Sequence, residues 1–205
     1  MCCRYYILPK DVEWDPIREE AEHAKVMRRF RETGAGLVAS GEARPMDVVP
    51  VLASDRFGGR SFFPMRWGFR LEGPKPTLLI NARTETAAQK PSFRDAWAAH
   101  RCAVPASGYF EWERPSEKPR GSGIKYSIRD PDAPLIWLCG LYRIESGLPV
   151  FVILTREPGS ELAEIHNRMP LILPEDATRS WVDPNQRPED LLPFALTRLT
   201  AMKAG

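Results

Sequence analysis

From Leu37 onward, glycine and proline cut this chain into short apolar runs, and that punctuation limits what it can fold into. Twenty of the 205 residues are proline, about twice the ordinary share. A proline gives no backbone N–H and breaks a helix interior, so this content implies many loops and turns. The runs left between the breaks have strand length. They fall at 48–52, 62–69, 77–81, 101–104, 109–113, 125–128, 135–142, 149–154 and 170–173, with a further short strand at 4–8. Helical spacing is confined to a few places. Asp15-Pro16 reads as an N-cap with proline at the first helical position, and Ile17, Ala21, Ala24, Met27 and Phe30 continue at helical spacing until Gly34. Ser92 with Asp95 resembles a capping box for a short helix to His100. Ser160 suits the cap of another helix through His166, and the chain after the last strand reads as mostly helical. Residues 114–123, polar and rich in Pro and Gly, read as an exposed hairpin loop. The expectation is one α+β domain over 1–205 with a largely antiparallel sheet.

Charge and cysteine content narrow the function classes. The net charge of +2 gives no strong whole-protein field, so nucleic acid would have to be held in a local basic groove. The basic run Arg28, Arg29 and Arg31 suits a solvated helix face. Cys2, Cys3, Cys102 and Cys139 form no CxxC pair, and the three histidines lie far from one another. Neither a disulfide framework nor a metal site is expected, and no cofactor is implied. No signal peptide or membrane-length apolar run is present, so a cytoplasmic, reducing setting is expected.

Cys2 follows the initiator methionine directly. If Met1 is clipped, Cys2 carries a free α-amine two carbons from a thiol, a pair no internal residue offers. An aldehyde carbon attacked by the amine and then by the thiol closes a five-membered ring. With a reference pKa near 7.7–8.0, about a tenth of such an amine is unprotonated at pH 7, far more than for a lysine. Taken alone, a cysteine at position 2 is more often an ordinary small residue.

Three internal segments carry further candidates, each with a plainer alternative. Asn81-Ala82-Arg83-Thr84-Glu85-Thr86 puts an amide, a guanidinium and a carboxylate at a strand end, suited to holding a phosphate or to a surface Arg–Glu pair. In Gly108-Tyr109-Phe110-Glu111-Trp112, alternation sets Tyr109, Glu111 and Glu113 on one face and Phe110 and Trp112 on the other. A carboxylate among aromatics suits acid/base work; on an edge strand it faces water. Ile165-His166-Asn167-Arg168 offers an acid/base and a phosphate ligand, or a helix end whose cations complement the helix dipole.

Taken in order, these segments resemble the SOS response-associated peptidase (SRAP) family, also called abasic-site processing proteins. The resemblance runs through Met1-Cys2-x-Arg4-Tyr5, Arg44-Pro45, Val49-Pro50-Val51, Arg66-Trp67-Gly68, Asn81-Ala82-Arg83-x-Glu85-Thr86 and Phe93-Arg94. It continues through Arg101-Cys102-x-x-Pro105, Gly108-Tyr109-Phe110-Glu111-Trp112, Gly140-Leu141-Tyr142 and His166-x-Arg168-Met169-Pro170. It implies a curved or bifurcated sheet with a barrel-like core. It also implies covalent capture of abasic sites in single-stranded DNA by Cys2, through an imine and then a thiazolidine, shielding the lesion in the DNA damage response. By the same resemblance Glu111 assists sugar-ring opening, His166 acts as acid/base near the sugar oxygens, and Asn81 hydrogen-bonds the adduct. Arg4, Arg83 and Arg168 would bind flanking phosphates. Trp67, with apolar residues near Pro45 and Met46, would support unstacked bases, although Trp67 suits a core position as well. A monomer is the expected state. Cys3 departs from the Gly or Asn usual after the active cysteine, and the segment from about Gln186 matches less well and is assigned no role. The competing functions are a cysteine peptidase or N-terminal-nucleophile hydrolase, including one confined to removal of Met1, and a non-covalent single-strand sensor.

Overall fold

Backbone breaks at single residues decide how the short segments pair. The structure is a computed structural model that describes residues 3–8, 14–55, 57–113 and 123–204. It begins with β1 (Arg4–Ile7), α1 (Trp14–His23) and α2 (Lys25–Glu32). One helix to about residue 33 was expected. Instead the chain breaks at Ala24, whose ψ of 135° is extended. Trp14 and Ile17 pack into the largest core, whereas Met27 and Phe30 join Val48 and Leu148 elsewhere. One straight apolar stripe cannot face two cores, so the helix bends. Gly34, at φ +77°, follows the end of α2.

β2 (Gly41–Ala43), β3 (Val48–Ser54) and β4 (Arg60–Trp67) come next, then β5 (Phe69–Leu71), β6 (Thr77–Leu79) and β7 (Asn81–Arg83). The run at 62–69 is divided at Gly68, whose φ is +125°. A Cβ there would lie 2.6 Å from the Leu78 side chain, so only glycine makes this corner. The run at 77–81 is divided at Ile80, whose carbonyl accepts from the Ile153 N–H at 3.1 Å and from Trp67 Nε1 at 2.9 Å.

α3 (Thr84–Ala87) and α4 (Arg94–Ala99) follow. The expected capping box does not form. Phe93 is the N-cap, with no side-chain cap bond, and the Lys90 carbonyl receives the N–H groups of Phe93 and Arg94 instead. The long central strands are β8 (Arg101–Ala106), β9 (Gly108–Trp112), β10 (Lys125–Arg129), β11 (Ile136–Glu145) and β12 (Leu148–Arg156). The helix expected at 160–166 is a series of turns, closed by bonds such as Leu162 N–H to Gly159 O at 3.1 Å. β13 (Met169–Pro170) and β14 (Ile172–Leu173) flank Leu171, which donates to Leu154 and accepts from Cys139. The chain then forms α5 (Glu175–Trp181), two 3-10 turns at Pro188–Asp190 and Leu192–Phe194, and β15 (Thr200–Lys203). The tail is therefore only partly helical, because Thr200–Lys203 pairs with β10 as an added strand.

Two sheets dominate. The first has the order β15-β10-β9-β1-β2 and is antiparallel throughout. The second runs β12-β4-β3-β8-β11, and β11 pairs back to β12, so five strands close on themselves. Closure satisfies the edges, and β12 adds β7 and β13 beyond its ring partners. The fold is thus α+β, sheet-dominated and barrel-like, as the resemblance implied. Successive residues divide between two cores: Phe151 and Ile153 enter one with Tyr5 and Tyr109, Val150 and Val152 the other with Trp97 and Trp181. No helix among the described residues is long and apolar enough to cross a membrane.

Candidate active site

β9 lies between β1 and β10, so Glu111 does not stand on an edge. Gly108 opens this strand where a Cβ would sit 2.4 Å from the Tyr6 hydroxyl, which in turn bonds Ser127 of β10. The register pairs Arg4 with Phe110 and Tyr5 with Tyr109. Alternation then turns Tyr109 and Glu111 inward, with Glu111 only 4% exposed, while Phe110 and Trp112 lie half-buried on the other face. Edge exposure to water is thus excluded for Glu111. Cys3 lies beside it: burial first, and then the Glu111 carboxylate, push the Cys3 thiol up. Such a thiol stays protonated and is a poor nucleophile. Cys2 and most of the expected hairpin loop (114–122) lie outside the described residues.

A second group gathers around the end of β12. β7 runs parallel to β12 on one flank, pairing Asn81 with Ile153 and Arg83 with Thr155. β13 lies on the other flank, pairing Pro170 with Thr155. Residues before β13 and after β7 therefore meet over one short stretch. Arg168 spans it, donating to both carboxylate oxygens of Glu85 at 2.7 and 2.9 Å and to the Thr155 carbonyl at 2.7 Å. Its backbone N–H donates to Nδ1 of His166 at 3.0 Å. Arg83 is exposed and holds no ion pair among the described residues, so the Arg–Glu pair forms with Arg168 and not with Arg83.

The two groups are joined through the core. Tyr5 lies two residues from Cys3, and its ring centroid is 5.5 Å from that of Trp67. Trp67 is fully buried, stacks on Phe151 at 6.1 Å and donates to Ile80, the neighbour of Asn81. Trp67 thus takes the core position, and from there it touches no surface. Left at the surface is Met46, partly exposed like Pro45 before it, in the turn that Asp47 N–H closes onto Arg44 O at 3.0 Å. Its φ of +78° belongs to a position where such turns favour glycine.

Arg4 enters a cluster that sequence reading did not find. Glu42 accepts from Lys125 at 2.6 Å, from Arg4 at 3.1 Å and from Arg44 at 3.4 Å. Lys125 also lies 3.7 Å from the Phe110 ring centroid, and Arg4 5.4 Å from that of Trp112. The outer face therefore alternates cations with aromatics. The missing signal was register: residues 4, 42, 44 and 125 share no local pattern until β2, β1, β9 and β10 are aligned.

The hydrogen bond from Lys125 holds the Glu42 carboxyl below the usual range, and the Arg168 fork does the same for Glu85. A lowered folded value means each pair stabilises above the ordinary carboxylate value of about 4.3 and loses that contribution as pH falls through the lowered value. Glu42→Gln is expected to lower the melting temperature at about pH 6, and its gap to wild type to shrink as pH falls below the ordinary carboxylate value of about 4.3. A gap unchanged across that range would remove the pairs from the acid response.

A family model described as SOS response associated peptidase (SRAP) matches residues 1–204. Abasic site processing protein YoaM of Bacillus subtilis (strain 168) is 34% identical over 137 residues, 62% of this chain and 59% of that protein. Abasic site processing protein YedK of Escherichia coli (strain K12) is 32% identical over 136 residues, 64% of this chain and 60% of that one. HMCES of Pongo abelii, also named as an abasic site processing protein, is 30% identical over 164 residues, 60% of this chain and 46% of that one. The matched segments thus span less than two thirds of these relatives. Among solved structures, a phage-related protein of Bordetella bronchiseptica superposes with a TM-score of 0.75 at 23% identity, covering 99% of this chain and 94% of that one. A protein of Bacteroides thetaiotaomicron gives 0.72 at 21%, covering 98% and 91%. These two likenesses speak for the fold.

Proposed function

Because this chain belongs to the SOS response-associated peptidase family, we propose that it processes abasic sites, capturing them in single-stranded DNA through Cys2. The observation that carries the reading is Glu111, a carboxylate buried to 4% exposure beside Cys3, the residue next to Cys2 in sequence.

The chemistry balances without a cofactor. An abasic sugar is a cyclic hemiacetal, and moving the C1′ hydroxyl proton to the ring oxygen opens it to an aldehyde. Glu111 carries that proton. The Cys2 amine adds to C1′, the carbinolamine loses one water to give an imine, and the Cys2 thiol adds across the C=N bond. A C–S bond forms, the thiol proton passes to nitrogen, and a thiazolidine results. His166, with Nδ1 accepting a backbone N–H, presents Nε2–H to the sugar oxygens. Asn81 hydrogen-bonds the adduct. Arg83, exposed and without an ion pair among the described residues, and Arg4 meet the flanking phosphates. Arg168 reaches a phosphate only by leaving Glu85.

The test is incubation of Met-free protein with single-stranded DNA bearing one abasic site, followed by a denaturing gel. A retained, slower-moving protein–DNA species supports capture. Binding without that species favours a non-covalent sensor, and cleavage of a peptide substrate in its place favours the peptidase. In the same assay Glu111→Gln is expected to form adduct about 100-fold more slowly. A single-turnover rate equal to wild type would take Glu111 out of the mechanism.

Met46 supplies a separate check. Left-handed backbone at a non-glycine residue costs about 1 kcal/mol, so Met46→Gly should raise urea stability by about 0.5–1 kcal/mol. If its side chain supports an unstacked base, the same change should weaken single-strand binding by about 1–3 kcal/mol. A variant that is both more stable and equally tight in binding would show that Met46 supports no base.

A further inference from the structure

We propose that Glu85 is a positioning residue for His166, acting through Arg168. The proposal rests on the reading of His166 as a proton-transfer group and goes beyond it, because Glu85 itself touches neither the ring nor any reacting atom.

The loop before β13 has little regular structure to hold it. Residues 160–165 are turns, and His166, Asn167 and Arg168 belong to no helix or strand. β13 contributes only two paired residues. The bonds described for the loop concentrate on Arg168, the residue whose backbone meets the His166 ring. Its guanidinium takes both Glu85 oxygens, at 2.7 and 2.9 Å, and the Thr155 carbonyl at 2.7 Å. Its own N–H takes His166 Nδ1 at 3.0 Å. One residue is thus anchored at the side chain and fixes the imidazole at the backbone.

The pair differs from an ordinary surface ion pair in two ways. The Arg168 side chain is 11% exposed while that of Glu85 is 46% exposed, so the cation is enclosed and the carboxylate closes over it from outside. The contact is also a two-point fork, which sets the plane of the guanidinium; a single-point pair does not. The consequence for chemistry lies in the tautomer. A backbone N–H on Nδ1 leaves the neutral ring protonated at Nε2. Remove Glu85 and the guanidinium keeps only Thr155, the N–H drifts from Nδ1, and both tautomers become populated.

The experiment uses full-length, Met-free protein with 15N-labelled histidine, with the His166 signals assigned by their loss in His166→Ala. Ring nitrogen shifts and single-turnover adduct rates across pH are compared for wild type, Glu85→Ala, Glu85→Gln and Arg168→Lys. Wild type is expected to show the Nε2–H tautomer. Glu85→Ala and Arg168→Lys should show mixed tautomers, an altered pH profile and adduct formation slowed about tenfold. Glu85→Gln should fall between, since its amide oxygen still accepts one guanidinium N–H. Ring shifts and pH profile unchanged in Glu85→Ala would overturn the proposal, as would a rate loss that appears only as weaker DNA binding. If wild type forms no adduct, the capture reading fails, and the tautomer comparison still decides for or against Glu85.

Discussion

Cys2→Ala is expected to abolish the denaturant-resistant adduct, and retention of Met1 to do the same. The two changes remove different atoms. Alanine keeps the α-amine, so an imine can still form at the aldehyde carbon, but no thiol follows to close the ring, and the imine is hydrolysed on denaturation. Retained Met1 places the Cys2 nitrogen in a peptide bond, where its lone pair is delocalised and does not attack. Cys3 rescues neither form: its nitrogen is also in a peptide bond, and its thiol is held protonated by burial and by Glu111. Borohydride separates the cases. Reduction should trap the imine of Cys2→Ala as a stable secondary amine on the nitrogen of residue 2, whereas in the Met1-retained form any trapped amine is the nitrogen of Met1, a difference that peptide mapping reads. Wild-type adduct should survive denaturation without reduction. Its rate should also rise with pH towards about 8, as the amine loses its proton. A full yield of stable adduct from Cys2→Ala would show that another residue is the nucleophile.

The largest effect on stability is expected at Arg101. This residue is 1% exposed, and its five N–H bonds are distributed over five backbone carbonyls: Trp97, Ala98, Trp181, Asp183 and Gln186. Two of these carbonyls belong to α4 and the rest to the end of α5 and beyond, so one guanidinium ties α4 to α5 and to the segment after it. Burial pulls the Arg101 value down, although an arginine remains charged at any ordinary pH. Arg101→Ala would leave these carbonyls without their donor and open a cavity beside Trp181, whose ring lies 5.7 Å from the guanidinium carbon. A loss of about 4–5 kcal/mol is expected, which for a chain of this size lowers the melting temperature by roughly 8–20 °C. Arg101→Lys should lose nearly as much, because three donors on a point charge cannot span five acceptors. Calorimetry of the two variants checks this; a lysine variant within about 1 kcal/mol of wild type would show that the network is dispensable. The segment from about Gln186, unassigned by sequence, thus has a structural part: its carbonyl at Gln186 holds Arg101, and its last strand pairs with β10.

Most strands and the α4 position were legible because they depend on local punctuation. The divisions at Gly68, Ile80 and Leu171 were not, since each is set by a partner far along the chain: Phe151 for Gly68, Trp67 and Ile153 for Ile80, Leu154 and Cys139 for Leu171. The helix expected at 160–166 failed for a related reason. Its capping residue was present, but the chain there must turn back towards β13 within a few residues, and turns do this where a helix cannot.

The sequence by itself determined the chemical inventory, namely a cysteine behind the initiator methionine and internal segments bearing Asn81, Glu111 and His166. Side-chain chemistry and the order of motifs are properties of the chain alone. Only the tertiary structure decided environment and partnership. It buried Glu111 between two strands, put Trp67 in the core, gave Glu85 to Arg168 rather than to Arg83, and gathered Arg4, Arg44 and Lys125 around Glu42. The physical reason is that burial and pairing are set by strand register across tens of residues, and no local pattern encodes which strand will lie beside which.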